Sequence, residues 1–422
     1  MRLANGLLLA LVTATDVVAQ APALRVSAPR VARIDSAMSR YVADNQIAGA
    51  VTLVLQNGRV VQQGAYGWAD KPARRPMRAD AMFRIASQTK GITSVAVMIL
   101  VEEGRLGLGD PVSRYLPNFA TSKVAIVADT GRTIVPAKRA ITIRDLLTHT
   151  AGISYGTDRV VAPLYEAKGL GPAAGNGWYT ADKDEPICTT MDRLGTLPFV
   201  AQPGEAFVYG YNTDILGCVV ERVSGMPLDQ FFRTRIFQPL GMRDTYFYLP
   251  PEKAARLVAV HLIGSDGTLA LAPEGARGQG HYVTGPRTSF AGGAGLVSTA
   301  RDYATFLQML LNGGQLNGAR LLATATVNLM TTNQVGALFS TDGLGFGLGF
   351  QTTERPGAGG NPAAVGTFGW GGAYQTSYSV DPANDLVVVL MTQHLPGVPL
   401  NIGGRFTNLV YQTLVREPAG RP

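Results

Sequence analysis

The sequence predicts an α+β fold in which the two ends of the chain build one antiparallel sheet and the middle builds a helical lobe. Three observations carry this. Residues 50–56 and 59–66 are β-type runs on either side of Asn57-Gly58, a dipeptide that favours a tight hairpin. Residues 376–380 and 386–392 flank the turn-forming Asp381-Pro-Ala-Asn-Asp385 near the other end. Most of the periodic signal between these hairpins is helical. A sheet and a helical lobe enclose a cleft, and the active site is expected there.

In chain order, Val31, Ile34, Met38, Tyr41 and Val42 give residues 31–45 the spacing of an amphipathic helix. A helix is expected from Ser87 to Glu103, closed by Gly104. Residues 143–148 and 214–223 read as helices, and so does the last stretch, 406–415. Residues 155–200 carry few periodic signals and read as a long excursion. There is no internal repeat. The expected organisation is one compound domain over residues 21–420. Its α/β lobe comes from residues 30–80 and 290–420, and its helical lobe from residues 81–289.

With 422 residues, 46% hydrophobic and 16% charged, the chain has ample material for a buried core. The net charge is +7, but basic residues do not cluster beyond Lys71, Arg74, Arg75 and Arg78, which read as a solvated loop. Neither zinc-finger spacing nor aromatic–basic interleaving supports nucleic-acid binding. Cys188 and Cys218 are the two cysteines; they form no CxxC pair, and can form one disulfide if the chain is exported. Residues 1–20 read as a signal peptide: Arg2, the apolar run Leu7 to Val12, and small residues for cleavage between residues 19 and 21. An ordinary apolar N-terminal segment is the alternative, and Asp16 is unusual beside a leader. No later run is long enough to span a bilayer. The expected mature protein is exported, to the periplasm or the medium.

Ser87-Gln88-Thr89-Lys90 is the S-x-x-K of the chain and opens an apolar helix. Residues i and i+3 share a helix face about 5–6 Å apart, so a lysine there can reach the serine hydroxyl. A serine at a helix start also turns its own N–H toward a developing oxyanion. Taken alone the motif equally describes an N-cap serine and a surface lysine. Gly152-Ile-Ser154-Tyr-Gly156 matches the G-x-S-x-G elbow, with His281 or His394 available in chain order. It follows a helix rather than a buried strand, which argues against an elbow. The histidines show no ligand spacing, so no metal is expected, and no cofactor is implied.

Around the S-x-x-K lie further segments in fixed order: Phe83 to Lys90, Asp145 to Gly152, Tyr209 to Gly217, Pro239 to Thr245, Gly292 to Thr299 and Gly369 to Gly372. On these motifs the sequence resembles the serine β-lactamase-like hydrolases, the group of class C β-lactamases, D-Ala-D-Ala peptidases and family VIII carboxylesterases. The resemblance covers most of residues 30–415. It implies a β-lactamase/penicillin-binding-protein-like fold, with Ser87 as nucleophile and Lys90 as its activator. It also implies that Tyr209 handles the proton. Tyr211 stands where lactamases place an Asn, and Asn212 follows, which leaves the register open by one residue; Tyr211 is accordingly expected beside the substrate. The third motif is Trp370-Gly371-Gly372, with the N–H of Ala373 as the oxyanion donor that joins that of Ser87. Its uncharged first residue resembles the esterases.

The expected function is a carboxylesterase that hydrolyses small to medium neutral esters through an acyl-enzyme on Ser87. The alternatives are a β-lactamase, a D-amino-acid peptidase or amidase, an acyltransferase, and a ligand-binding protein without catalysis. The intact Ser87, Lys90 and Tyr209 argue against the last.

Overall fold

A computed structural model describes residues 24–128, 131–170, 181–264, 266–275, 278–395 and 401–416. Residues 1–20, expected to be a signal peptide, lie outside them. Helix α1 (Ala28–Ala43) leads into β1 (Gly49–Gln56) and β2 (Arg59–Asp70). Asn57 and Gly58 both take positive φ, 50° and 70°, which closes the hairpin the dipeptide predicts. Strand β3 (Arg75–Pro76) completes the N-terminal strands. Helices α2 (Thr89–Glu102), α3 (Ile143–Leu147), α4 (Asn212–Ser224) and α5 (Ala300–Leu311) follow. The chain then returns with β4 (Leu344–Phe346), β5 (Gln351–Thr353), β6 (Phe368–Gly371), β7 (Ser377–Asp381) and β8 (Leu386–Thr392), before α6 (Ile402–Tyr411).

The eight strands form one sheet in the order β4-β5-β6-β7-β8-β1-β2-β3, antiparallel throughout. The two chain ends meet where β8 pairs with β1, Leu390 opposite Thr52. Strand β8 is apolar from Leu386 to Met391 because both of its faces are buried. Leu386, Val388 and Leu390 pack with Ile34 and Met38 of α1 and Phe406 and Val410 of α6. Val387, Val389 and Met391 join the larger core that holds Val95 of α2 and Phe306 of α5.

The helices of the middle region pack on one another. Twelve of the 14 residues of α2 are buried, so this helix is the axle of the molecule. A capping box of Thr142 and Asp145 starts α3, and Gly225 at φ 75° ends α4. Cys218 of α4 is bonded to Cys188 in the helix Ile187–Leu194, with Cα atoms 5.2 Å apart. The same region also holds strands: Lys123–Ala128 pairs with Gly131–Pro136, and His261–Ile263 with Leu269–Leu271. These β-type runs are short and lie in loops between helices, where helical spacing dominates the sequence pattern. Within residues 155–200 the excursion contains the helices Ala162–Glu166 and Ile187–Leu194. No helix among the described residues is long and apolar enough to cross a membrane.

Candidate active site

Ser87 sits in a single 3₁₀ turn, Ala86–Gln88, that runs directly into α2. Ala86 takes φ 43°, a conformation that costs energy for a residue with a Cβ. The turn is pinned: the Gln88 N–H donates to Ile85 O at 3.0 Å, and the Tyr303 hydroxyl donates to Gln88 O at 2.8 Å. The half-buried Ser87 opens onto a cavity of about 600 Å³ that it shares with Tyr155, Tyr209, Trp370, Gly372 and Ala373. None of the described residues lining this cavity carries a charge.

Lys90, 2% exposed, lies beneath the serine. Its ammonium has three acceptors: Ser87 Oγ at 3.3 Å, the Tyr155 hydroxyl at 2.8 Å and Gly293 O at 2.7 Å. Three donors meet three acceptors, so the amine is held in one place. Thr93 fixes the same glycine segment by donating to Gly292 O at 2.7 Å.

Tyr209 does not hydrogen-bond to Lys90. Its ring lies over the Lys90 nitrogen, 4.7 Å from centroid to Nζ, and its hydroxyl accepts from Trp370 Nε1 at 3.2 Å. The tyrosine hydroxyl bonded to Lys90 belongs to Tyr155, which the sequence reading passed over because it stands inside the G-x-S-x-G match. The signal was local: the chain turns at Gly152, φ 79°, directly after the structured α3 segment, and carries Tyr155 into the cleft. Ser154, the serine of that match, is 6% exposed and accepts from the Gly156 N–H at 3.1 Å. It does not line the cavity. His281 is paired with Asp182, and His394 accepts from the Ala48 N–H at 2.8 Å.

Tyr211 is not beside the substrate cavity. It is 2% exposed at the N-terminus of α4 and packs edge-on against Tyr155, centroids 4.9 Å apart. Asn212, the other half of the register question, donates to Ile153 O at 3.3 Å, to Val208 O at 3.1 Å and to His149 Nδ1 at 2.9 Å. Burial, and secondarily Lys90, holds the His149 imidazole well below its ordinary range, so the ring is neutral and accepts that bond. Asn212 and His149 therefore brace the tyrosines from behind. Asp214, one turn into α4, is also fully buried; burial raises its carboxyl to about 6 against the opposing pull of Lys90 and the Gly293 N–H.

The third-motif residues stand on β6. Trp370 pairs with Tyr378 and Gly371 with Ser377 on the β7 side. On the other side β5 pairs only with Phe368 and Gly369, so the edge of β6 from Trp370 onward is left open toward the cavity. A Cβ at position 372 would lie 2.4 Å from Ile85 O, so glycine is required where the strand passes the Ser87 turn. Trp370 is wedged among Tyr209, Phe346 and Phe339, at centroid distances of 5.5, 5.4 and 6.3 Å. Among the described residues no cluster of three or more His, Cys, Asp or Glu side chains is arranged to hold a metal.

Comparison with known proteins shows the family of the chain. The family model described as Beta-lactamase matches residues 34–411. Esterase EstB of Burkholderia gladioli is 34% identical over 375 residues, 86% of this chain and 90% of EstB. Protein Rv1367c of Mycobacterium tuberculosis is 37% identical over 376 residues, 84% of this chain and 88% of its own. The solved structure of EstCE1, titled a hydrolase with promiscuous acyltransferase activity, superposes with a TM-score of 0.77 at 28% identity, covering 92% of this chain and 98% of EstCE1. The chain belongs to the β-lactamase family and is a serine hydrolase of that family with its fold.

Proposed function

We propose that this member of the β-lactamase family is a carboxylesterase for small to medium neutral esters. The observation that carries the reading is the uncharged cavity around Ser87, with the Trp370 ring at the first position of the third motif. A carboxylate next to the scissile bond would find no cation among the described residues of the cavity wall, whereas an alkyl or aryl ester meets an aromatic face.

In this reading Ser87 Oγ attacks the ester carbonyl and its proton passes to Lys90 Nζ, which enters the step as the neutral amine and leaves it as the ammonium. The backbone N–H groups of Ser87 and Ala373 receive the oxyanion. The Tyr209 hydroxyl, whose oxygen already accepts from Trp370, has its proton available for the departing alkoxide. Water then attacks the acyl-enzyme and gives its proton to the Tyr209 oxygen, while Lys90 Nζ returns a proton to Ser87 Oγ as the acid leaves. The deciding experiment compares kcat/KM for a nitrophenyl ester with that for a chromogenic cephalosporin. A preference for the cephalosporin would overturn the ester reading in favour of a lactamase.

Transfer of the acyl group to an alcohol is a second reading, supported by the likeness to EstCE1 and by a cavity large enough to admit an acceptor beside an acylated serine. It is tested by the ratio of transesterified to hydrolysed product in water containing an added alcohol. Export is proposed as well. A Cys188–Cys218 bond favours an oxidising compartment, and N-terminal sequencing of the expressed protein would give a start near residue 20.

A further inference from the structure

Gly292-Gly293 is a short backbone segment squeezed between α2 and α4. A Cβ at position 292 would come within 2.7 Å of Thr213 O, and one at position 293 within 2.5 Å of Asp214 Oδ2. Only glycine lets this segment approach so closely. On the α4 side, Asp214 Oδ1 accepts from the Gly293 N–H at 3.0 Å. On the other side, Gly293 O accepts from Lys90 Nζ at 2.7 Å. Asp214 is 0% exposed, and its second oxygen has no hydrogen-bond partner among the described residues. An ionised carboxylate is costly to bury with only the backbone N–H groups of Gly293 and of Asp214 itself to accept from, and the nearby Lys90 offsets part of that cost. Asp214 stands in the first turn of α4 with its carboxyl turned toward the glycine segment.

We propose that Asp214 is a positioning residue for Lys90, acting through Gly293. Its carboxylate anchors the Gly293 N–H, and Gly293 presents its carbonyl to the lysine. The proposal rests on the reading of Ser87 and Lys90 as nucleophile and activator, not on the ester reading. Lys90 is faced by Ser87 from its own helix start, by Tyr155 and the neutral His149 from the segment after α3, by the Tyr209 ring from the segment before α4, and by Gly293 O. Asp214 supplies the anion to this group from α4.

The test reads Ser87 directly with a fluorophosphonate label, so it is independent of which substrate the enzyme prefers. The rate of labelling is followed against pH in wild type, Asp214→Asn and Asp214→Leu. Asparagine keeps an oxygen for the Gly293 N–H while the charge is lost. Its plateau rate constant per labelled site is expected to stay within about threefold of wild type, because the anchor of the glycine segment is kept. Leucine also removes the anchor, and the plateau is expected to fall about tenfold or more as the amine loses its fixed position. A residue that merely stabilises the fold would lower the amount of active protein without changing the rate constant per labelled site. A leucine variant whose rate constant stays within about threefold of wild type, or an asparagine variant that falls as far as leucine, overturns the proposal; if the leucine variant does not fold, Asp214→Ala takes its place. Absence of labelling at Ser87 in the wild type would refute the nucleophile assignment instead.

Discussion

Lys90 and Tyr155 are joined by a 2.8 Å hydrogen bond, although 65 residues separate them in the chain. The same lysine lies under the Tyr209 ring at 4.7 Å without reaching its hydroxyl. Two tyrosines therefore share one ammonium, one by hydrogen bond and one by its π face, and their rings meet edge-on at 5.7 Å. Proton movement from Ser87 is expected to depend on all three side chains as a unit. Lys90→Ala, Tyr155→Phe and Tyr209→Phe should each lower kcat, and Lys90→Ala/Tyr155→Phe should be little worse than Lys90→Ala alone. Additive losses in that double-mutant cycle would show that the two act separately.

Ser87→Ala should lose several orders of magnitude in kcat and keep its fold, since the hydroxyl makes no structural bond beyond the one with Lys90. Ser154→Ala is the paired control. That serine is spent on a turn through the Gly156 N–H, so the variant should keep most of its activity. A residual activity above about a tenth in the Ser87 variant, or a dead but folded Ser154 variant, would reverse the assignment.

How far the sequence reached can be argued from these residues. The S-x-x-K spacing placed Ser87 and Lys90 together because they are neighbours on one helical turn, and helical geometry is local. The sheet was legible because β1 and β8 carry hairpin turns and β-type runs in their own residues. Tyr155 was not legible, since its role is set by where the loop after α3 crosses α2, and no periodicity reports such a crossing. Tyr211 was misplaced for a related reason. Its neighbour Asn212 binds inward to His149, which turns the start of α4 so that Tyr211 packs into the core. Gly292-Gly293 was visible as a motif, but its purpose emerges only from the close approach of Thr213, Asp214 and Thr93.

Asp214 also has a stability consequence with a definite sign. Burial raises its carboxyl from 3.8 to about 6 in the folded protein. The folded state therefore binds this proton more tightly than the unfolded chain. Stability is fullest below the unfolded value, declines as pH rises between the two, and carries the whole penalty above about 6. Asp214→Asn, which has no carboxyl to titrate, should accordingly gain on wild type as pH rises from about 4 to 7, by on the order of 2–3 kcal/mol at most. Thermal melts of both proteins across this range check it, and an equal gap at every pH would refute the linkage.

Cys188 and Cys218 tie the helix Ile187–Leu194 to α4, the helix that carries Asn212 and Asp214. The bond closes a segment with a sequence separation of 30, and its loss should cost about 2–4 kcal/mol. Cys188→Ser/Cys218→Ser should show a lower urea midpoint than the oxidised wild type, and a reductant should lower the wild-type midpoint to match. A midpoint insensitive to both changes would mean that packing alone holds the two helices.

The last prediction concerns substrate charge and follows from Trp370. A β-lactam, or a peptide ending in D-Ala, brings a carboxylate close to the bond that is cut. A cation on β6 at position 370 would reach it, and such a charge-assisted contact in a partly desolvated cleft contributes on the order of 1–3 kcal/mol. That corresponds to roughly tenfold to a hundredfold in selectivity. The wild-type indole cannot supply it; its N–H is already given to Tyr209 at 3.2 Å, and its ring is stacked among aromatic neighbours. Trp370→Lys should therefore shift the ratio of kcat/KM for a cephalosporin to that for a neutral ester upward by about tenfold. Total activity should fall at the same time, because Tyr209 loses the indole N–H that orients its hydroxyl. Trp370→Phe separates the two effects: it loses the Tyr209 contact but adds no charge, so its activity should fall while the ratio stays near wild type. A ratio that rises equally in both variants would mean that space, not charge, governs which substrate the cavity accepts.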